Sequence, residues 1–386
     1  MKLAEQMTAC IHASTEWNRA RAAAAFGNDS PEARKIKRRF KINAAAAYIG
    51  VSRQAIESAE KEGRLPPADY IDSKGENPRP VRAGYTLEQI DSMRDVFGKQ
   101  PYRPEGSEAV VFAVTGGKGG CYKTSTAANY AQWLSLRGYR VLVVDMDPQA
   151  HLSMYFGYHP ELNTTINDTV LPYLLGDEDD LTYCVKATAW PKLDIIPGHL
   201  HMQRLERELP EADIEYAPHQ MLQAGLQTIS DNYDIIILDG HPDLGMGTLN
   251  MICASTVTLM ATSTEVNDIN STSQLMSLVR DIYDENSMME TTHEPIVRVL
   301  PTKLNGPKSS SYKNLEDMHR FWPGLPLLNG IRVTDEIGKG QRRMASIYEQ
   351  AEEQRSSPAA WKRANDIYEA CFSEMLDSLV KPVWGQ

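Results

Sequence analysis

The sequence predicts an α/β fold: a mostly parallel sheet built around a phosphate-binding loop (P-loop), preceded by an N-terminal α-helical module with a winged helix-turn-helix pattern. Three observations predict it. From Ala109 onward, six short runs that are apolar throughout alternate with helix-period segments, the pattern of strands covered on both faces. A glycine-rich stretch, residues 115–125, joins the first of these runs to a helical segment. Ahead of both, residues 30–105 hold 15 basic and 11 acidic side chains, whereas residues 106–386 sum to −15 within a net charge of −11.

Residues 1 to about 27 read as one helix in which Leu3, Met7, Cys10, Ser14 and Trp17 are spaced alternately four and three apart. This short coiled-coil-like stripe serves either packing on its own domain or self-association. Asn28-Asp29-Ser30-Pro31 stops it. A basic cluster follows, Arg34, Lys35, Lys37, Arg38, Arg39 and Lys41. A small-residue helix from Ile42, a turn at Gly50 and a second helix capped by Ser52 and running to about Lys61 then make a helix-turn-helix pattern. The segment Arg64 to Arg82 reads as a wing before a helix from Thr86 to Phe97, an order that resembles the MerR-type winged helix. Ser52, Arg53, Gln54, Arg64, Arg79 and Arg82 are therefore the candidate DNA contacts, with polar side chains for base edges and cations for phosphates. A plain helical hairpin is the other reading. The Pro-rich connector from Lys99 to Gly106 sets the division into 1–29, 30–105 and 106–386.

In the body, the apolar runs are Ala109–Thr115, Val141–Asp145, Leu193–Pro197, Ile235–Asp239, Val257–Ala261 and Ile296–Thr302. The loop after the first offers Gly117, Lys118, Gly119, Gly120, Cys121, Tyr122, Lys123, Thr124 and Ser125 to phosphates: backbone amides, a lysine charge and a threonine hydroxyl at the positive end of a helix. The commonest form, G-x-x-x-x-G-K-[ST], is met at Gly117, Lys123 and Thr124, but Tyr122 stands where its second glycine belongs. The variant K-G-G-x-x-K-[ST] is met in full by Lys118 to Thr124. Two runs end in aspartate, Asp145 with Asp147 just beyond it, and Asp239. Phosphoryl transfer needs such carboxylates, because Mg²⁺ takes oxygen ligands and an attacking water must be oriented.

This variant loop with its extra lysine resembles that of the ParA/MinD family of dimerising ATPases. The resemblance implies ATP and Mg²⁺ as cofactors and a homodimer in which Lys118 reaches the partner subunit's nucleotide. It implies that Lys123 serves its own phosphates, that Asp147 orients or activates water, that Thr124 and Asp239 hold Mg²⁺ and that Asp145 supports the metal shell. It also implies DNA segregation: nonspecific nucleoid DNA held in the ATP state, hydrolysis stimulated by a ParB-type centromere-binding partner, and operator DNA bound by the N-terminal module. Where the family shows a small hydroxyl residue after Asp239, this chain has Gly240-His241-Pro242, and His241 reads as a loop residue near the switch.

From Ile331 the sequence reads as a short strand, a glycine-flanked Lys339 on a movable loop and the start of a basic helix, followed by helices from Met344 to Glu353 and from Ala359 to Leu379. Lys339, Arg342 and Arg343 are candidate contacts to DNA phosphates; against this, 8 basic and 9 acidic side chains from Gly330 onward leave a solvated charged face as the alternative. The rival function is a nucleotide-responsive transcriptional repressor with incidental hydrolysis. Five scattered cysteines without Cys/His spacing argue against a structural metal and for a reducing compartment. No apolar run approaches the roughly 20 residues of a membrane span. The expectation is a cytoplasmic, nucleoid-associated protein without membrane contact.

Overall fold

Ala-rich sequence at the front folds as one helix, α1 (Leu3–Phe26), on which Leu3, Met7, Ile11 and Trp17 are all exposed. The computed structural model describes residues 3–26, 36, 38–72, 79–160, 162–284, 287, 289, 291, 293–306 and 309–386. The stop at Ser30-Pro31 and the cations Arg34, Lys35 and Lys37 lie outside the described residues.

The next elements are α2 (Ile42–Ile49), α3 (Arg53–Lys61), β1 (Tyr70–Asp72), β2 (Pro80–Arg82) and α4 (Leu87–Phe97). Alanines let α2 sit close to its neighbours, and Gly50, at φ 79°, turns the chain sharply into α3. Ser52 caps α3 by accepting from the Ala55 amide at 3.1 Å. β1 and β2 pair antiparallel, and Thr86 with Gln89 forms a capping box at the start of α4. This module is docked on the body by its own cations. Arg38 is buried with its guanidinium over the rings of Phe40 and Trp361, and it donates to the carbonyls of Tyr348 at 2.7 Å and Ile347 at 3.4 Å. Burial pulls its pKa down to about 10. Arg94, fully buried, donates to the Leu136 carbonyl. Part of the basic surplus of this segment thus joins two halves of the molecule.

The body is one seven-stranded sheet of β3 (Val110–Thr115), β4 (Val141–Asp145), β5 (Lys186–Ala187), β6 (Leu193–Ile196), β7 (Ile235–Asp239), β8 (Val257–Ser263) and β9 (Ile296–Thr302), in the order β5-β6-β4-β7-β3-β8-β9. All neighbours are parallel except β5, a two-residue edge strand antiparallel to β6. Side chains alternate between two cores. Val110, Phe112 and Val114 face one, with α5 (Lys123–Ser135); Val111 and Ala113 face the other, with α7 (Leu171–Leu174) and α9 (Met221–Gln227). Shorter helices α6 (His151–Tyr155) and α8 (Leu205–Glu208) follow β4 and β6, while α10 (Met246–Ala254), α11 (Val266–Tyr283) and α12 (Ser310–Phe321) share a third apolar cluster beside β8 and β9. The chain closes with α13 (Asp335–Arg343) and α14 (Pro358–Met375), the latter packing Tyr368 and Phe372 on the α5 side.

Around α13 the structure differs from the sequence reading. Ile331 to Val333 is no strand but a single bridge, Leu304 to Arg332. The basic helix begins earlier than expected because Thr334 caps it, accepting from the Ile337 amide at 3.2 Å, with Asp335 and Glu336 in its first turn. It ends at Met344, at φ 47°, so Met344 to Glu353 is not a helix. Gly338 and Gly340 lie inside α13 rather than on a loop; a Cβ on Gly340 would stand 2.7 Å from the Ala345 carbonyl oxygen, so close approach explains that glycine.

Candidate functional site

The loop from β3 to α5 opens at the carboxyl end of the sheet, where β7, between β3 and β4, ends in Asp239. Gly117 packs so closely on α11 that a Cβ would lie 2.4 Å from the Ser271 carbonyl oxygen. Tyr122 adopts φ 68°, the left-handed backbone that explains why the commonest motif has glycine there. Its ring is part-buried, with Lys303 Nζ 5.7 Å from the centroid. Lys123, only 6% exposed, folds its ammonium back to within 3.2 Å of the Lys118 carbonyl, the interior of the loop. Lys118 points elsewhere: its Nζ is 2.9 Å from Asp268 Oδ1, and its side chain is half exposed.

Gly119, Gly120 and Tyr122 to Ser125 line a cleft of about 540 Å³ with Asp147, His241, Lys303, Gln341 and Met344. His241 bonds Asp243 Oδ2 through Nδ1 at 3.0 Å, consistent with a loop role. Sheet register sets Asp145 directly beside Asp239. Asp145 is already engaged by the chain, by the Ser153 amide at 2.8 Å, the Ser153 hydroxyl at 2.7 Å and the Asp147 amide at 3.2 Å. With these bonds Asp145, expected to support the metal shell, also braces the turn that presents Asp147. Asp147 in turn accepts from the Gln149 amide at 2.8 Å.

Asp239 is the opposite case. It is fully buried, and neither carboxylate oxygen makes a well-formed hydrogen bond. Burial and the charge of Asp145 push it well above the usual carboxylate range, with the Thr124 hydroxyl and Lys123 pulling the other way. Asp145, also raised by burial but relieved by Ser153, is pushed up to about 7. A buried carboxylate with spare oxygens next to a threonine hydroxyl fits a hard divalent cation. Among the described residues no three His, Cys, Asp or Glu cluster into a cage.

The candidate DNA contacts fall into separate groups. Ser52, Arg53, Gln54, Arg64 and Arg79 are exposed, Arg53 pairing with Glu57 and Arg64 with Glu62, both at 2.7 Å. Arg82 is not available in the same way, because it is part-buried and held by Glu60 and the Tyr85 hydroxyl, bolting the hairpin to α3. On α13, Arg342 and Arg343 are exposed, while Lys339 is half-buried and bonded to the Ser356 hydroxyl. The next residue but one, Gln341, lines the nucleotide cleft. Asp268 and Gln341 escaped the sequence reading: an Asp in a helix's first turn and a Gln among cations are both ordinary in sequence.

Residues 109–291 match the family described as AAA domain. The chain is 44% identical to "Protein SopA" of Escherichia coli (strain K12), over 100% of this chain and 99% of that protein. Among solved structures, one titled "Partition Protein" superposes with a TM-score of 0.65 at 18% identity over 99% of both chains, a likeness of fold. Cobyrinic acid a,c-diamide synthase from Mycobacterium smegmatis, solved with ADP and magnesium, matches at 25% identity and TM-score 0.52, over 61% of this chain and 91% of that one.

Proposed function

The chain belongs to the ParA/MinD family as a ParA-type plasmid partition ATPase, and on that premise we propose how its residues divide the work. ATP with Mg²⁺ binds in the cleft above the loop and is hydrolysed with water to ADP and phosphate. One observation carries the reading: a single loop holds two lysines aimed in different directions, the buried Lys123 turned inward and the half-exposed Lys118 turned out. Lys123 and the amides of Gly119 to Thr124 stabilise charge on the transferred phosphoryl group. Thr124 and Asp239 hold the metal, which neutralises phosphate charge. Asp147, steadied by Gln149 and by the turn Asp145 braces, orients the water. Lys118 serves the nucleotide of a second copy, so ATP binding joins two chains.

The DNA surfaces then have separate tasks. Arg53 and Gln54 on α3, with Arg64 and Arg79 nearby, read operator DNA, while Lys339, Arg342 and Arg343 on α13 hold nonspecific nucleoid DNA in the ATP-bound dimer. A ParB-type partner stimulates hydrolysis and release, and the exposed stripe of α1 contributes to self-association. Among the described residues no helix is long and apolar enough to cross a membrane, and the working place is the nucleoid in the cytoplasm. The test is Lys118→Ala, which should abolish DNA-stimulated turnover and plasmid inheritance while single chains still bind nucleotide. Intact inheritance would remove the partition reading and leave the nucleotide-responsive repressor.

A further inference from the structure

Lys118 is held within its own chain. Its ammonium meets Asp268 Oδ1 at 2.9 Å, on the third residue of α11. We infer that Asp268 is a counter-ion in cis that parks Lys118 on its own subunit and so sets the threshold for nucleotide-driven pairing of two chains. This rests on the reading of Lys118 given above.

The two members of the pair differ in freedom. Asp268 is 7% exposed, its Oδ2 accepts from the Ser263 hydroxyl at 2.5 Å, and its carboxylate lies in the first turn of an 18-residue helix. Burial would raise its pKa, but the bonds from Ser263 and Lys118 outweigh this and leave it below the usual range. The loop cannot drift away from it either, since Gly117 sits against Ser271 of the same helix. Lys118 has a four-carbon stem and a side chain 51% exposed. The contact therefore opens by departure of the lysine alone. Asp268 would keep its Ser263 bond and the weaker field of Lys303 afterwards, while its buried Oδ1 is left without another partner, a cost of opening that adds to the threshold. A phosphate-bearing nucleotide on a facing subunit offers the lysine a stronger partner than one carboxylate. An ion pair with one exposed member is weak enough to lose that competition, yet strong enough to shift its midpoint several-fold.

Asp268→Asn keeps the shape and the Ser263 bond and removes the charge. The expected result is that half-maximal dimerisation, followed by sedimentation or light scattering, moves to roughly three- to fivefold lower ATP concentration. Basal turnover at limiting protein concentration rises in step, and ADP affinity of the single chain is unchanged. Asp268→Glu retains the charge and should stay within about twofold of the parent. An unshifted Asp268→Asn, or a Glu variant shifted as far as Asn, overturns the proposal, as does loss of dimerisation in Asp268→Asn, which would mean that Asp268 aims Lys118 forward. If Lys118→Ala itself dimerises and turns over like the parent, the reading of Lys118 fails instead, and that outcome is seen without any Asp268 variant.

Discussion

Gln341 Nε2 donates to Ser125 Oγ at 3.1 Å, which ties basic helix α13 to the residue after Thr124 on the nucleotide loop. The contact heads a ladder. Ser125, Asn129 and Gln132 share one face of α5 by their spacing of four and three, and they bond Gln341, the Ile347 amide and Glu349. The carbonyls of Ile347 and Tyr348 are the ones Arg38 grips from the N-terminal module. One strap, residues 341–349, thus touches the nucleotide helix on one side and the N-terminal module on the other.

Gln341→Ala should therefore leave ATP affinity within about fivefold, since one neutral hydrogen bond contributes about 1 kcal/mol or less. The ratio of nonspecific DNA affinity with ATP to that with ADP should shrink. Fluorescence anisotropy on a DNA fragment in each nucleotide measures it. An unaltered ratio would make the bond a matter of packing only.

Asp239→Asn separates repulsion from metal binding. A carboxyl whose folded pKa is raised binds its proton more tightly folded than unfolded, so its stabilising contribution is full below about pH 4 and lost as pH rises. Asp145, pushed up to about 7, loses its own share as pH rises through that value, and Asp239 is raised in the same direction. The nucleotide-free protein should lose stability from about pH 4 towards 7, and Asp239→Asn should flatten the loss and raise Tm near pH 7. The same variant should lose the Mg²⁺-dependent part of the Tm gain with ATP. A lower nucleotide-free Tm in Asp239→Asn would contradict the account.

Arg53 and Arg82 carry equal charge in adjacent elements but different work. Arg53→Ala should weaken operator binding by roughly five- to a hundredfold and spare ATPase activity, because the residue is exposed and its Glu57 contact is a surface pair. Arg82→Ala should cost about 2 kcal/mol in stability of the module, because Glu60, part-buried, loses its cation and keeps only the Tyr85 hydroxyl. Gel shifts and urea denaturation on both variants decide. Equal operator loss with unchanged stability for Arg82→Ala would return it to the reading set.

These cases show what the sequence could convey. Strands were legible because β3, β4 and β7 are buried on both faces and must be apolar throughout. β5 was not, since its two residues are half exposed and carry no pattern. The start of α13 was misplaced because two glycines resemble a loop until the close approach of Ala345 to Gly340 is seen. Charge counting saw Arg38, Arg82 and Arg94 only as basic residues. Whether a cation faces solvent, a carbonyl or a carboxylate depends on contacts far apart in sequence, as between Arg38 and Tyr348.

Tyr122 gives the sharpest check on the loop itself. An L-residue in the left-handed region costs about 1 kcal/mol that glycine avoids. The ring returns part of this through its half-buried packing and the ammonium of Lys303, and burial raises the pKa of its hydroxyl. Two opposed terms predict an order. Tyr122→Phe should stay near the parent, while Tyr122→Gly loses the ring, about 1 kcal/mol for half-burial, and regains the backbone term. Tyr122→Ala loses the ring and keeps the strain, so it should be the least stable. Glycine should thus exceed alanine by about 1 kcal/mol, the reverse of their order inside a helix. Urea denaturation of the nucleotide-free proteins measures the difference, and an alanine variant as stable as glycine would mean that Tyr122 does not hold this backbone in solution.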